Sequence, residues 1–151
     1  MPSRETLERA KRDKLRGKSP STQAGEFIRE EIHHIREGKH GARSPQQAIA
    51  IGLSEARRAG VEVKPPEPGR TSAATRRKAQ RDYARGHGAA PRRGASAKRR
   101  KASERALERE PRTSVSRDAL AAQTRAAARR RKPEERSRAA RRGARTRRAR
   151  A

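Results

Sequence analysis

Three of the four histidines lie in one short stretch, EEIHHIREGKHGARSPQQAIAIG, residues 30–52. Imidazole nitrogens beside carboxylates can bind a metal ion or transfer protons. On a helix, however, His33 and His34 point about 100° apart, so both cannot face one ion, and His40 lies beyond Gly38, where a helix should stop. The chain contains no cysteine to complete a tetrahedral set. We therefore predict no metal site and no cofactor.

A catalytic site is not indicated either. Serines, histidines and carboxylates are present, but the sequence has no nucleophile elbow, no glycine-rich phosphate loop and no paired-acid motif. Only 29% of the 151 residues are hydrophobic and 1% are aromatic, so few large apolar side chains are available to hold a reactive group rigidly. We predict that the protein is not an enzyme and has no catalytic residues.

The net charge of +26 is concentrated in the second part of the chain. Through Gly69, 14 Lys and Arg stand against 10 Asp and Glu, whereas from Arg70 onward the numbers are 29 and 7. The two parts therefore carry net charges of +4 and +22. Such a polycation binds polyanions, and the abundant polyanions in a cell are DNA and RNA. Arginine outnumbers lysine 34 to 9, which fits phosphate binding but equally fits a GC-rich genome.

Clusters of Arg and Lys in this second part are the predicted nucleic-acid contacts. Stacking platforms for single-stranded bases are not expected, because the only aromatic residues are Phe27 and Tyr83. The predicted phosphate-binding residues are Arg76, Arg77, Lys78, Arg92, Arg93, Lys98, Arg99, Arg100, Lys101, Arg129, Arg130, Arg131, Lys132, Arg141, Arg142, Arg145, Arg147 and Arg148.

Two helices with complete capping signals are predicted in the first part. Ser19 followed by proline starts a helix over about residues 20–37, which Gly38 and Gly41 end. A Ser-Pro-x-Gln capping box at Ser44 starts a second helix over about residues 45–59. The short glycine-containing connection folds the pair into a hairpin, and Gly52 on the inward face lets the two backbones approach closely.

The remaining segments are too polar to form a core of their own. We divide the chain into a basic N-terminal arm with too few apolar positions to pack firmly (1–18), the helical hairpin (19–60), a Pro-rich linker (61–70) and an Arg/Ala-rich basic tail (71–151). Within the tail, residues 114–131 and 132–150 contain good helix formers that should become helical when phosphate neutralises their charge. The predicted fold is all-α: a short two-helix hairpin with a largely disordered or conditionally helical basic C-terminal tail.

Two residues of the predicted hairpin do not fit a simple apolar face. Glu31 falls within the apolar stripe of the first helix, so it must reach the rim, pair with a cation such as Arg43, or accept N–H groups near Ser44. Ile51 points away from the apolar face of the second helix. A second copy of the chain packed over it, giving a homodimer, and a single exposed isoleucine are both compatible with the sequence.

The segment KSPSTQAGEFIREEIHHIREGKHGARSPQQAIAIGLSEARRAGV, residues 18–61, resembles the core of a family of small, highly basic bacterial proteins of uncharacterised function. Members are sometimes labelled DNA-binding or plasmid-stabilisation proteins. The resemblance is specific in HHIREGKHGARSPQQAIAIGLS, which includes both turn glycines and the Ser-Pro cap. It implies a bacterial, nucleoid-associated protein and supplies no catalytic residues.

The sequence as a whole predicts a non-enzymatic protein that binds nucleic acid with little sequence preference, double-stranded DNA being favoured over RNA. The expected location is the cytoplasm, on the nucleoid, because no stretch approaches the roughly 20 apolar residues of a membrane span. Two alternatives remain open. One is an RNA- or ribosome-associated basic protein, and the other is a protein-interaction adaptor whose tail only localises it.

Overall fold

A computed structural model describes residues 1–88 and 96–149. The described residues form seven α-helices and one short 3-10 helix, η1, and they contain no β-strand. The elements in chain order are α1 (Arg4–Leu15), α2 (Pro20–Arg36), α3 (Pro45–Arg58), α4 (Ala73–Gly86), α5 (Ala97–Glu108), η1 (Thr113–Val115), α6 (Arg117–Arg129) and α7 (Pro133–Arg148).

The predicted two-helix hairpin with a largely disordered tail is wrong. Four α-helices occupy the described part of the basic tail, and a further helix precedes the hairpin. Local capping explains part of the difference, because the hydroxyls of Ser72, Ser96 and Ser116 each accept a hydrogen bond from the backbone three residues on. At α7, Pro133 occupies the first turn together with two glutamates that favour the positive end of the helix dipole.

The two helices predicted from their caps are confirmed as α2 and α3, each ending one residue before the predicted limit. Ser19 and Ser44 are the N-cap residues, and both helices have proline in the first turn. The close approach at Gly52 is also confirmed, since a Cβ atom there would lie 2.7 Å from the Ile28 Cα. Glycine is therefore required where α3 crosses α2.

The N-terminal arm is a packed helix, which corrects the expectation of a loosely held segment. Helix α1 is capped by Ser3 and packs against α2, burying Thr6 and Ala10. Across this interface the Arg9 Nε donates to Glu26 Oε2 at 2.7 Å. The arm lacks large apolar residues, but small side chains and ion pairs are sufficient to hold it on α2.

The core consists of two clusters of mostly small side chains. The first contains Ala10, Ala24, Phe27, Ala56 and Val61, with Leu53 and Val63 partly buried against it. The second contains Ile35, Ala42, Ala48 and Val115, with Ile32 partly buried against it. Residues from the predicted linker and from the predicted tail therefore complete the core that the hairpin begins.

Helix α4 packs on α3. Ala79 is buried, and the Ser54 hydroxyl donates to Asp82 Oδ2 at 3.0 Å in a buried hydrogen bond. Gly86 lies against the Arg57 carbonyl so closely that no Cβ would fit. A small residue, a buried polar pair and a glycine thus hold α4 in place without large apolar side chains.

The segment after α5 is attached to the turn between α2 and α3. The backbone N–H of Gly41 donates to the Leu107 carbonyl at 2.8 Å, and that of Ala42 donates to the Pro111 carbonyl at 3.0 Å. The Arg36 guanidinium donates to the Val115 carbonyl through Nε at 3.2 Å and Nη2 at 3.0 Å. These bonds place the fully buried Val115 in the second cluster.

The chain divides into two compact units, Met1–Val115 and Ser116–Ala151. In the second unit neither α6 nor α7 has a buried residue, although the Ala-rich side of α6 is partly shielded from solvent. Across the described ranges, no helix combines the length and the apolar character needed to cross a membrane.

Candidate functional site

A polar group formed by Glu31, His34 and His40 lies at the C-terminal end of α2. One potential ligand atom from each side chain lies within 4.8 Å of the others. Glu31 and His34 are three residues apart on α2 and so share a face. His40 reaches the same place because Gly38, with φ of +81°, ends the helix and turns the chain back.

The His40 ring is oriented by a backbone contact. Its Nδ1 lies 3.1 Å from the Gly41 carbonyl oxygen, which can only accept a hydrogen bond, so Nδ1 carries the proton. In the neutral ring Nε2 then has a free electron pair. That Nε2 lies 3.7 Å from Glu31 Oε2. A histidine held in this way presents its second nitrogen to the carboxylate.

The Glu31 carboxyl is buried, with only 3% of the residue exposed, and its Oε1 has no hydrogen-bond partner in the structure. Burial raises the pKa of Glu31 to about 7, with a further increase from the nearby Glu55 and Glu30, while His40 and the N-terminal amino group oppose the increase. The buried position of Glu31 therefore destabilises its ionised form.

The interpretation of Glu31 as a rim residue is wrong, because the side chain is buried. Neither of the other two predicted partners is the one observed. The Arg43 Nε lies 3.9 Å from Glu110 Oε1, and of the two Glu31 oxygens Oε1 has no hydrogen-bond partner while Oε2 lies beside His40. Sequence reasoning missed His40 as the neighbour of Glu31 because the path of the turn after α2 has no simple periodicity.

Glu30 and His34 form the outer side of the same group. The Ser3 backbone N–H donates to Glu30 Oε1 at 2.8 Å, and this oxygen lies 3.8 Å from His34 Nε2. Burial would raise the pKa of Glu30, but the hydrogen bonds from Ser3 outweigh it and the pKa lies below its ordinary value. The pKa of His34 is lowered, first by burial and then by the neighbouring Lys39 charge.

The group has two imidazoles and one carboxylate, a donor set that suits transition-metal ions. The prediction of no metal site considered whether His33 and His34 could share an ion. In the structure His33 points elsewhere, with its Nε2 2.9 Å from Glu37 Oε1. The combination of Glu31, His34 and His40 was missed, and the i, i+3 spacing of the first two was the only signal for it in the sequence.

The predicted phosphate-binding residues lie on four helices and on the connection between α6 and α7. Arg92 and Arg93 lie outside the described residues. Arg76 is half-buried, and the other predicted residues are exposed. They are Arg77 and Lys78 on α4, Lys98, Arg99, Arg100 and Lys101 on α5, Arg129 on α6, Arg130, Arg131 and Lys132 on the connection, and Arg141, Arg142, Arg145, Arg147 and Arg148 on α7.

Helix α7 carries a continuous arginine face. Arg141, Arg142, Arg145 and Arg148 lie at i, i+1, i+4 and i+7, and their helical angles fall within about 120° on one side of the helix. Arg138, which is exposed and was not among the predicted residues, extends this face by one turn. The five arginines span about 15 Å at 1.5 Å per residue. The helical spacing in the sequence would have identified Arg138.

Helix α5 begins with four consecutive cations, Lys98 to Lys101, and its first turn contains no acid. The N-terminus of a helix has a partial positive charge, so cations there are unfavourable. The charge is only partly offset within the helix, where Arg100 Nε lies 4.0 Å from Glu104 Oε1. An anion bound at this turn would relieve the repulsion.

Neither aromatic ring is available to stack on an unpaired base. Phe27 is fully buried in the first core cluster. The Tyr83 ring stacks on His87 with 3.9 Å between the ring centroids. The exposed side chains through which the described tail could bind nucleic acid are therefore cationic and not aromatic.

Comparison with known proteins gives one match. Residues 4–67 match a family of unknown function, DUF6496, so this part of the chain, α1 to α3 and most of the segment that follows, is similar to that family. The predicted resemblance to an uncharacterised family is confirmed in this part of the chain. The match begins at residue 4, whereas the predicted resemblance began at residue 18. No curated protein and no solved structure matches the chain.

Proposed function

We propose that the protein binds nucleic acid without enzymatic activity and with little sequence preference, double-stranded DNA being the favoured target, and that it acts on the nucleoid in the cytoplasm of a bacterium. The observation that carries this proposal is the net charge of +22 after Gly69, together with the many exposed Lys and Arg side chains that the structure describes on α4, α5, α6 and α7. Neutralising phosphates with such residues releases counterions, which drives binding to any sequence.

The α7 face suits a duplex. B-DNA carries one negative charge per about 1.7 Å of helix axis, so the roughly 15 Å length of this face passes more phosphates than its five arginines can engage. The guanidinium forks of Arg141, Arg145 and their neighbours can each bind phosphate oxygens in pairs. Such contacts position a protein on the backbone without reading bases, which supports low sequence preference.

A charge-matched pair of variants tests this proposal. In the first variant Arg138, Arg141, Arg142 and Arg145 are all replaced by alanine. In the control four exposed cations of α1 and its C-cap, Lys11, Arg12, Lys14 and Arg16, are replaced by alanine, so the net charge changes equally. We expect the α7 variant to bind duplexes of several unrelated sequences at least about 100-fold more weakly than the control in fluorescence anisotropy. Equal affinities would show that only total charge matters and would contradict a binding face on α7.

RNA is the alternative target of the same surface. The absence of free aromatic rings among the described residues argues against recognition of single-stranded bases, but not against binding to the phosphates of folded RNA. Competition between a labelled DNA duplex and an unlabelled structured RNA of equal charge separates the two. Stronger competition by the RNA than by unlabelled duplex would replace DNA with RNA as the target.

A homodimer through α2 and α3 stays a proposal. Ile51 is half-buried in the monomer, which leaves part of its surface for a second copy. Sedimentation at micromolar concentration tests it, and a strict monomer would contradict the dimer while leaving nucleic-acid binding in place.

A further inference from the structure

We propose that Glu31, His34 and His40 form a binding site for a divalent transition-metal ion, Zn²⁺ in the first place. This inference concerns the first compact unit and does not rest on nucleic-acid binding. It goes beyond the proposed function because it assigns a ligand to residues 1–69, a part of the molecule with a net charge of only +4.

The donor set selects the class of ion. Two imidazole nitrogens and one carboxylate suit zinc, which accepts nitrogen and oxygen ligands in tetrahedral sites with a water in the fourth position. Magnesium and calcium prefer oxygen ligands alone, and they would gain little from His34 and His40. The absence of cysteine from the chain excludes thiolate ligation.

The distances fit an ion after small side-chain movements. Ligands about 2.0–2.2 Å from zinc in a tetrahedral site lie about 3.3–3.6 Å from one another. His40 Nε2 and Glu31 Oε2 are 3.7 Å apart, and the donor atoms of the whole group lie within 4.8 Å. All three side chains come from residues 31–40, and we expect rotation about their side-chain bonds to close the site.

An independent observation that points to a ligand is the unpartnered oxygen of Glu31. Its Oε1 is buried without a hydrogen bond, which is a costly arrangement for a carboxylate in a folded protein. A metal ion bound by the group would compensate the charge of this buried carboxylate. The half-buried rings of His34 and His40 leave the ion a route from solvent.

Neighbouring groups already hold the proposed ligands as they are held in metal sites. The Gly41 carbonyl accepts from His40 Nδ1 and leaves Nε2 for the ion. Glu30, fixed by the Ser3 N–H, places a second carboxylate 3.8 Å from His34 Nε2. This carboxylate is itself buried, with its Oε2 also unpartnered, and it adds negative charge beside the site.

The position of the site indicates a structural role. An ion would connect the end of α2 to the turn that carries His40 and Gly41. The same turn donates hydrogen bonds to the Leu107 and Pro111 carbonyls, so it also holds the segment that delivers Val115 to the core. Metal binding would therefore strengthen the attachment of residues 107–115 to α2 and α3.

Calorimetric titration of the full chain with ZnCl₂ at pH 7.5, after treatment with a chelator and its removal, tests the proposal. We expect one ion per chain and an increase in melting temperature. His40→Ala and Glu31→Gln should each weaken zinc binding by about 100-fold or more, since both remove a ligand. His33→Ala is the matched control, because His33 lies on the same helix but outside the group, and its zinc affinity should stay within about twofold of the parent. MgCl₂ should give no binding.

Absence of zinc binding by the parent chain would overturn the proposal, and so would a parent-like affinity in His40→Ala. An equal loss of zinc affinity in His33→Ala would also overturn the proposal, because zinc would then be bound by exposed histidines outside the group. Circular dichroism at low temperature checks that each variant is folded. Should Glu31→Gln fail to fold, the half-buried His40 still allows the decisive comparison between His40→Ala and His33→Ala.

Discussion

Arginine has different roles in the α1–α4 bundle and in the α6–α7 pair. In the bundle three guanidinium groups connect separate segments: Arg9 contacts Glu26, Arg36 donates to the Val115 carbonyl, and Arg57 donates to the Val63 carbonyl at 3.0 Å. Arg57 is 7% exposed, and burial lowers its pKa. In the α6–α7 pair every described arginine is exposed. The same residue type therefore stabilises one region and remains on the surface of the other.

The two regions also differ in whether they bury other polar groups. The bundle buries carboxylates and hydroxyls beside its small core, among them Glu30, Glu31, Ser54 and Asp82, whereas neither α6 nor α7 buries any residue. Buried polar groups require specific partners, so substitutions in the bundle should change stability. Substitutions of exposed cations in α7 should change affinity for a polyanion and leave stability within about 0.5 kcal/mol.

Removal of the second unit should have the largest effect. A chain of Met1–Val115 retains both core clusters and the packing among α1, α2, α3 and α4, so we expect it to melt cooperatively. Loss of even four phosphate contacts should reduce duplex affinity by about three orders of magnitude near 0.1 M salt. Anisotropy and thermal melting of the two chains measure both quantities.

Full duplex affinity in Met1–Val115 would mean that the cations of α4 and α5 are sufficient and that the two regions do not differ in function as proposed. Retention of a cellular phenotype by this shortened chain, together with loss of nucleic-acid binding, would instead favour the adaptor alternative.

Glu31→Gln should change the pH dependence of stability in the metal-free protein. The pKa of Glu31 rises from 4.5 to about 7 on folding, so the folded state binds the proton more tightly, and the contribution of this group to stability is fully present below pH 4.5 and is lost as the pH rises to about 7. The parent chain should lose up to about 3 kcal/mol across this window, and the glutamine variant should lose less.

Denaturant titrations with a chelator at pH 4.5 and pH 7.5 measure the difference. Glu30, Glu55, His34, His40 and the N-terminal amino group face Glu31 and stay unchanged in both chains. The exposed Glu62 supplies the control, since Glu62→Gln should alter stability by less than about 0.5 kcal/mol. Parallel profiles of stability against pH for the parent and Glu31→Gln would show that folding does not raise the pKa of Glu31.

Gly52→Ala should destabilise the bundle by about 2 kcal/mol, because the new Cβ would press on the backbone of Ile28 at 2.7 Å. Gly25→Ala on α2 is the matched control. A Cβ there would meet nothing within 4 Å, so the higher helix propensity of alanine should stabilise the chain by about 0.5–1 kcal/mol. Thermal melting of both variants measures the difference, and a change of the same sign in both would contradict the close packing of α2 and α3.

Local signals in the sequence were sufficient to predict α2, α3 and the role of Gly52, because caps, proline and apolar spacing all lie within a few residues. The rest of the fold depends on contacts between distant segments. Val115 completes a cluster around Ile35, and Ser54 bonds to Asp82, yet neither pair has a pattern that a single sequence displays. The low content of large apolar residues predicted disorder, but small residues that pack closely need less apolar surface.

The candidate sites were predictable to different degrees. Charge clustering along the chain identified most of the exposed cations in the described part of the tail, because exposure requires only the absence of a partner that would bury them. The Glu31, His34 and His40 group depends on the path of the turn after Gly38, which brings His40 beside Glu31. Helical angles show only that His33 and His34 point in different directions. They do not predict that the chain turns back and places His40 beside Glu31.

The dependence of duplex affinity on salt tests the central claim most directly. If eight cations of the full chain contact phosphate, the logarithm of the binding constant should fall with a slope of about −7 against the logarithm of the salt concentration. The variant that lacks Arg138, Arg141, Arg142 and Arg145 should have a slope smaller by about 3.6, while the α1 control keeps the parent slope. A slope near −1 for the full chain would contradict binding through the arginines of the C-terminal helices.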